Sequence, residues 1–235
     1  MIKCIFLCGI IGYIGEENAA PILLNGLKRM EYRGYDSAGM ATLTDVGIIL
    51  LKDEGKISEI DKKMNFLDME GTIGIAHTRW ATHGGVSREN AHPHVSCGFE
   101  VAVNHNGIIE NHHQLREKLK GEGHEFNSDT DSEIIAHLLE KYYNESGKVK
   151  KALLNAVQDL KGTFSFQAIF KSEPNVLIGA RKDAPLVIGI GKNGNYLASD
   201  ILSFIDHTDK VKFLDNQEIV IMRGRRMNIY TFNGE

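Results

Sequence analysis

The order of apolar and polar segments predicts an α+β fold of stacked antiparallel sheets. Strand-like runs come first, amphipathic helical segments occupy the middle, and strand-like runs return towards the C-terminus. The helical segments are too few for β-α-β alternation, which argues against a parallel sheet. No internal repeat and no linker-like stretch divides the 235 residues, so one domain is expected.

Residues 8–14 form a continuous apolar run, read as a buried first strand. Residues 18–30 read as a helix, with Ile22, Leu23, Leu27 and Met30 on one face and Pro21 near its start. Short strands are expected at 39–43, 47–51, 72–76 and 99–104. Asn111 is expected to cap a helix running through Leu119 and ended by Gly121 and Gly123. Thr130-Asp131-Ser132-Glu133 matches a capping box ahead of the apolar series Ile134, Ile135, Leu138 and Leu139. Residues 150–160 make a further amphipathic helix. Strands follow at 164–170, 176–180, 186–190 and 195–199, and 218–223 with 227–232 read as a hairpin around Gly224.

Composition narrows the function classes. Hydrophobic residues make up 42% and charged residues 25%, with a net charge of −4, which is ordinary for a globular protein and gives no basic surplus for nucleic acid. The three cysteines, Cys4, Cys8 and Cys97, are too few and odd in number for a disulfide framework and fit a reducing cytoplasm. The apolar run around Cys4 and Cys8 is too short to span a membrane, and no small-residue cleavage pattern follows it. No membrane association is expected.

Polar residues crowd together in three places that propensity does not explain. These are Cys8-Gly9-Ile10-Ile11-Gly12, His77-Thr78-Arg79-Trp80-Ala81-Thr82-His83-Gly84 and Asn104-His105-Asn106-Gly107-Ile108-Ile109-Glu110-Asn111. The second suggests a strand end opening into a pocket. In the third, Asn106-Gly107 suggests a tight turn at another strand end. Such ends leave backbone N–H groups free to bind a ligand. Taken singly, each has a plainer reading: Arg79 as a surface charge, Asp131 as a residue favoured at a helix N-terminus, Asn106-Gly107 as a hairpin turn and Trp80 as core.

Taken together, these segments resemble the class II glutamine amidotransferases, the N-terminal-nucleophile glutaminases. Tyr32-Arg33-Gly34-Tyr35-Asp36-Ser37-Ala38-Gly39, Asn90-Ala91-His92-Pro93-His94, Asp183-Ala184-Pro185-Leu186-Val187-Ile188-Gly189 and Ala198-Ser199-Asp200 extend the likeness almost to the C-terminus. Within the family they are similar to the branch that aminates fructose 6-phosphate to glucosamine 6-phosphate. The glutaminases of the phosphoribosyl and asparagine branches read differently after Asn106-Gly107. A catalytically silent glutamine-binding module is the alternative from another class.

The resemblance implies a four-layer αββα sandwich and hydrolysis of L-glutamine to glutamate and ammonia through a thioester on Cys8. The nucleophile's own α-amino group acts as base, an exchange that fits a thiol near ~8.5 beside an α-amine near ~7.7–8.0. It implies an oxyanion hole at Asn106 and Gly107, and a glutamine cradle in which Arg79 takes the α-carboxylate, Thr82 and His83 complete the grip and Asp131 takes the α-ammonium. Trp80 matches a residue that gates ammonia passage, and Arg33 is a further candidate. No cofactor is implied. His92, His94, His105, His112 and His113 offer neither a cysteine pair nor a His-Glu-x-x-His arrangement, so no metal site is expected, and Cys97 and Cys4 are read as incidental.

Two features depart from the family pattern. Residues 1–7 precede the cysteine that should come first, so they are expected to be absent from the active protein, as a cleaved leader or a start misassigned upstream of Leu7. The glutaminase domain then runs over 8–235. The chain ends near the expected close of the glutaminase half, so the sugar-isomerase synthase domains that would use the ammonia are expected to be missing from it.

Overall fold

A computed structural model describes residues 8–81 and 84–235. Expectations placed on residues 1–7, on Thr82 and on His83 lie outside the described residues. The chain begins with β1 (Gly9–Gly15) and α1 (Ala19–Met30), the latter capped by Asn18, whose side-chain oxygen accepts the Ala20 N–H at 3.3 Å. There follow β2 (Ser37–Thr44), β3 (Gly47–Glu54), α2 (Ile57–Met64), β4 (Ile73–Arg79), β5 (His94–Val95) and β6 (Val101–Ile109). The helices α3 (His112–Gly121), α4 (Glu133–Ser146) and α5 (Val149–Asp159) come next. The remainder is β7 (Gly162–Phe170), β8 (Val176–Lys182), β9 (Val187–Ile190), β10 (Gly194–Ala198), β11 (Val211–Phe213), β12 (Glu218–Arg223) and β13 (Arg226–Thr231).

Two antiparallel sheets result. One has the order β11-β9-β10-β1-β4-β2-β3 and the other β13-β12-β8-β7-β6-β5. Period-two alternation sorts their side chains into three cores. On β7, Phe164, Phe166, Ala168 and Phe170 pack with α4 and α5, while Ile169 faces the other sheet. On β1, Ile11 and Tyr13 pack under α1 and Ile14 turns to the sheet–sheet layer. Helix, sheet, sheet and helix thus lie in four layers, as the family resemblance implies. Burying each of these large side chains contributes about 1.5–3 kcal/mol of transfer free energy. Between the sheets, Gln167 Nε2 donates to the Leu197 carbonyl at 2.5 Å.

Several local expectations are corrected. Asn106-Gly107 does not turn the chain: both residues lie inside β6, opposite Ser165 and Phe164. Gly107 is needed there because its φ is +123° and a Cβ would meet the Thr163 carbonyl oxygen at 2.0 Å. Asn111 precedes α3 but makes no side-chain cap; its amide bridges the Asp159 carbonyl and the Lys161 N–H instead. The capping box at 130–133 is not formed either. Glu133 turns back on the preceding loop and accepts the N–H groups of Asn127 and Ser128, each at 2.8 Å, and the Ser128 hydroxyl at 2.6 Å. Helix α2 and the short strands β5 and β11 were not anticipated.

Candidate active site

The site is built where the two sheets come together at one end. In the first sheet, β1 pairs with β4 so that Gly9 lies opposite Thr78, and β4 pairs with β2 so that Arg79 lies opposite Ser37. This register places Cys8 against the end of β4. The Cys8 sulfur accepts the Trp80 N–H at 3.1 Å, and its thiol faces the Trp80 carbonyl at 3.4 Å. From the second sheet, the Asn106 side-chain amide donates to the Cys8 carbonyl at 3.1 Å. The thiol expected as nucleophile and the amide expected in the oxyanion hole are therefore neighbours, although 98 residues separate them.

His77 fixes the amide's orientation. Its Nε2 lies 3.0 Å from Asn106 Oδ1 and 3.2 Å from the His105 carbonyl oxygen. Both partners accept, so Nε2 carries the hydrogen and the Asn106 NH2 group is turned towards Cys8. Burial pushes His77 down to about 3, so the ring is neutral. His77 stacks on His92 at 4.2 Å between ring centroids, and His92 meets His94 edge-on at 4.4 Å. Burial also holds His92 and His94 well below the ordinary imidazole range, so this wall of the site is three neutral rings.

Arg79 and Asp131 occupy the other end. The Arg79 guanidinium is almost fully buried, donates to the carbonyls of Gly85 at 3.2 Å and Gly84 at 3.3 Å, and feels Cys8, Asp36 and Asp131 electrostatically. Burial lowers its pKa despite those opposite charges. Asp131 is buried and one of its oxygens accepts the Ile109 N–H at 2.7 Å, which locks it to the end of β6. Asn90 links the two sides: its amide donates to Gly85 at 3.1 Å and accepts the Asp129 N–H at 2.9 Å. A buried cation and a buried carboxylate in each other's field suit a zwitterionic amino acid.

Burial pushes the Cys8 thiol above its ordinary value, and the Trp80 backbone and the Arg79 charge only partly offset this. The resting sulfur is therefore a neutral thiol at pH 7. Asp36 and Gly34, to which no role attaches in the sequence, complete the frame. Asp36 accepts the Ala81 N–H at 2.8 Å and so anchors the segment after Trp80. Gly34 allows close approach, since a Cβ there would meet the Arg79 backbone at 2.7 Å. Their only signal was a place inside a motif.

The other expected residues fall as follows. Trp80 presents its backbone to the sulfur; the residue is 37% exposed, and its ring stands edge-on to Tyr35 at 5.2 Å between centroids. Arg33 pairs with Asp200 at 2.7 Å, an arrangement shared by the Tyr32 hydroxyl at 2.9 Å, and its charge reaches Cys8 only through space.

The fold and the thiol at the mouth of its first strand define an N-terminal-nucleophile amidotransferase sandwich. A model of the glutamine amidotransferase domain family matches residues 77–206, and the chain belongs to that family. It is 48% identical over 219 residues to the glutamine–fructose-6-phosphate aminotransferase (isomerizing) of Methanothermobacter thermautotrophicus, covering 93% of this chain and 37% of that protein. Its identity to the protein of the same name from Aquifex aeolicus is 49% over 229 residues, covering 97% of this chain and 38% of that one. The chain thus spans a little over a third of these relatives. Among solved structures, the glutamine phosphoribosylpyrophosphate amidotransferase of B. subtilis superposes with a TM-score of 0.83 at 27% identity, over 96% of this chain and 49% of that one. No helix among the described residues is long and apolar enough to cross a membrane.

Proposed function

We propose that residues 8–235 hydrolyse L-glutamine to glutamate and ammonia, and that the ammonia serves glucosamine 6-phosphate synthesis from fructose 6-phosphate on sugar-isomerase domains, in the cytoplasm. The observation that carries this reading is the contact of the Cys8 sulfur with the Trp80 backbone, beside the Asn106 amide and in the field of Arg79. Arg79 holds the glutamine α-carboxylate, Thr82 and His83 are assigned the rest of that grip, and Asp131 holds the α-ammonium. This leaves the side-chain amide at Cys8.

The chemistry needs a base, because the resting thiol is protonated. His77 is too weak a base and its Nε2 hydrogen is committed to Asn106 and His105. Asp36 is engaged with the Ala81 N–H. The α-amine of Cys8 fills the role once residues 1–7 are absent. It takes the thiol proton, the sulfur attacks the amide carbon, and the oxyanion is met by the Asn106 amide and the Gly107 N–H. The C–N bond then breaks and ammonia leaves with that proton. Water, deprotonated by the same amine, cleaves the thioester to glutamate. Trp80, whose ring stands edge-on to Tyr35, is assigned the gate on departing ammonia, and Arg33 shapes the field around the thiol from its pair with Asp200.

The test is glutamate release by the chain beginning at Cys8 and by the chain retaining residues 1–7, each verified by intact mass. Hydrolysis confined to the first supports the proposal. Equal rates in both would overturn the amine as base, and binding without turnover in either would leave a silent glutamine-binding module. For the sugar assignment, the chain beginning at Cys8 is combined with the isomerase domains and glutamine carrying a labelled amide nitrogen. Label in glucosamine 6-phosphate is expected, and label recovered only as free ammonia would count against it.

A further inference from the structure

On the far side of the loop that carries Asp131, four side chains from three separate segments converge. Cys97 lies in a short 3-10 turn (Cys97–Phe99), His124 in the connection after α3, and His137 and Glu140 on one face of α4. Their donor atoms all lie within 4.8 Å of one another. His124 Nδ1 is 3.2 Å from His137 Nδ1 and 3.3 Å from Glu140 Oε2. The Cys97 sulfur is 3.8 Å from His137 Nδ1 and 3.9 Å from His124 Nδ1, and Glu140 Oε2 is 4.0 Å from His137 Nδ1. We propose that Cys97, His124, His137 and Glu140 form a tetrahedral site for a divalent cation of the zinc class, a structural clamp separate from the glutaminase chemistry.

The spacing, the donor types and the surroundings support it independently. Tetrahedral zinc with bonds of about 2.0–2.1 Å to nitrogen and about 2.3 Å to sulfur separates nitrogen pairs by about 3.3 Å and nitrogen–sulfur pairs by about 3.6 Å. The nitrogen pair and the two nitrogen–sulfur pairs meet that to within a few tenths of an ångström, while Glu140 Oε2, 4.0 Å from His137 Nδ1, has to move in by more than half an ångström. Two imidazoles, a thiolate and a carboxylate make a borderline-soft set whose two negative charges balance a divalent ion. One outer group is placed as around a metal-bound ligand, and a second lies just beyond hydrogen-bond reach. His137 turns its second nitrogen, Nε2, to the Glu133 carboxylate at 3.7 Å. Ser96 donates to the other oxygen of Glu140 at 3.0 Å, which leaves Oε2 for the site. His137 is 1% exposed and Glu140 7%, so the ion would be largely shielded from water. Spacings of 27 and 40 residues from Cys97 to the two histidines hide the set from any local motif.

A cation here would lock the turn at Cys97 and the connection at His124 to the first half of α4. The same helix end supplies Glu133, which holds the backbone of Asn127 and Ser128 just before Asp131. The clamp would thus stiffen the segment that ends at the substrate carboxylate.

The test uses the full chain with Cys8→Ala, which removes the active-site thiol as a competing chelator. Metal is counted by mass spectrometry after zinc loading and dialysis, and cobalt is then added as a spectroscopic probe. About one ion per chain is expected, with the visible bands and the sulfur-to-metal charge-transfer band of tetrahedral thiolate–cobalt. Cys97→Ser, at a half-exposed position that need not disturb folding, should abolish the charge-transfer band and cut zinc to below about a tenth of an equivalent. His124→Ala, in the surface connection, should do the same to the zinc count, with circular dichroism confirming the fold of both variants. Absence of bound metal in the Cys8→Ala chain, or an unchanged count and spectrum in both further variants, would overturn the site.

Discussion

The two described cysteines keep opposite company. Among the described residues, the sulfur of Cys8 has its hydrogen bonds with main-chain atoms of Trp80, while the nearby His77 turns its Nε2 away to Asn106 and His105. Cys97 faces two imidazole nitrogens, with a carboxylate behind them. The difference teaches that a thiol's chemistry is set by what converges on it. Several lone pairs aimed at one point favour a metal ion. A single sulfur on a preformed backbone contact, with donors aimed past it, leaves room for an electrophile. The two sites share α4 and the loop before it, so one region bridges the substrate end and the ligand cluster.

The sharpest way to break this contrast is Cys8→Ala. Hydrolysis should fall to background, a larger loss than the ~10²–10³-fold of a single oxyanion donor. Glutamine binding measured by calorimetry should persist, because Arg79 and Asp131 grip the other end of the substrate. Loss of binding together with turnover would show that the sulfur is part of the binding pocket and that the division of roles is wrong.

The histidines give the next effect. An unfolded imidazole titrates near ~6.5, whereas His77 in the fold is held at about 3 and His92 and His94 well below the ordinary value. Below that unfolded value the unfolded chain gains protons the folded chain refuses. The stability these rings contribute is therefore complete above ~6.5 and drains away as pH falls towards 3. With three such rings, urea unfolding between pH 6 and 5 should lose about 4 kcal/mol of stability per pH unit. A slope under about 1 kcal/mol per unit would mean the rings are charged in the fold. The same protonation balance keeps His77 out of the acid limb of turnover, which should report a base near ~7.7–8.0, the range of an α-amine.

Much of this arrangement was legible in the sequence. Helix α1 was readable because Asn18, Pro21 and a clean apolar face agree with one another. The motif around Arg79 pointed correctly to a strand end, since β4 closes at that residue. Asn106-Gly107 misled, because a dipeptide with strong turn propensity was absorbed into β6, where nine paired positions outweigh a local preference. Helix α2 escaped notice since its eight residues bury only Ile57 and Ile60 and have no side-chain cap. The capping box failed because Glu133 found better donors upstream. Cys97, His124, His137 and Glu140 left no trace in sequence: their meeting depends on how α4 lies against the turn before β6, which no local pattern encodes.

Asn106→Ala tests the active-site half of the contrast at the level of one donor. It removes the NH2 group that His77 aims and should lower kcat by about 10²–10³-fold, or roughly 2.7–4 kcal/mol, with KM little changed. His77→Gln should share the direction with a smaller loss, since it leaves the amide in place but free to rotate. Wild-type kcat in Asn106→Ala would remove the amide from the oxyanion hole and leave Gly107 as the donor.

The smallest expected effect separates shape from charge at the substrate's far end. Arg79 is buried and already donates to the Gly84 and Gly85 carbonyls, so its guanidinium is held in plane before any ligand arrives. Arg79→Lys keeps the positive charge but replaces a fork with a point, losing one of two parallel bonds to a carboxylate and the hold on one glycine carbonyl. A charge-assisted hydrogen bond is worth about 1.5–3 kcal/mol, so KM for glutamine should rise roughly tenfold or more while kcat, set at Cys8, stays within a few-fold. The KM-against-kcat split is what decides. If kcat falls as steeply as KM rises, then the fork of Arg79 also sets how the side-chain amide meets the thiol, and the binding end and the reacting end of the site are not separable.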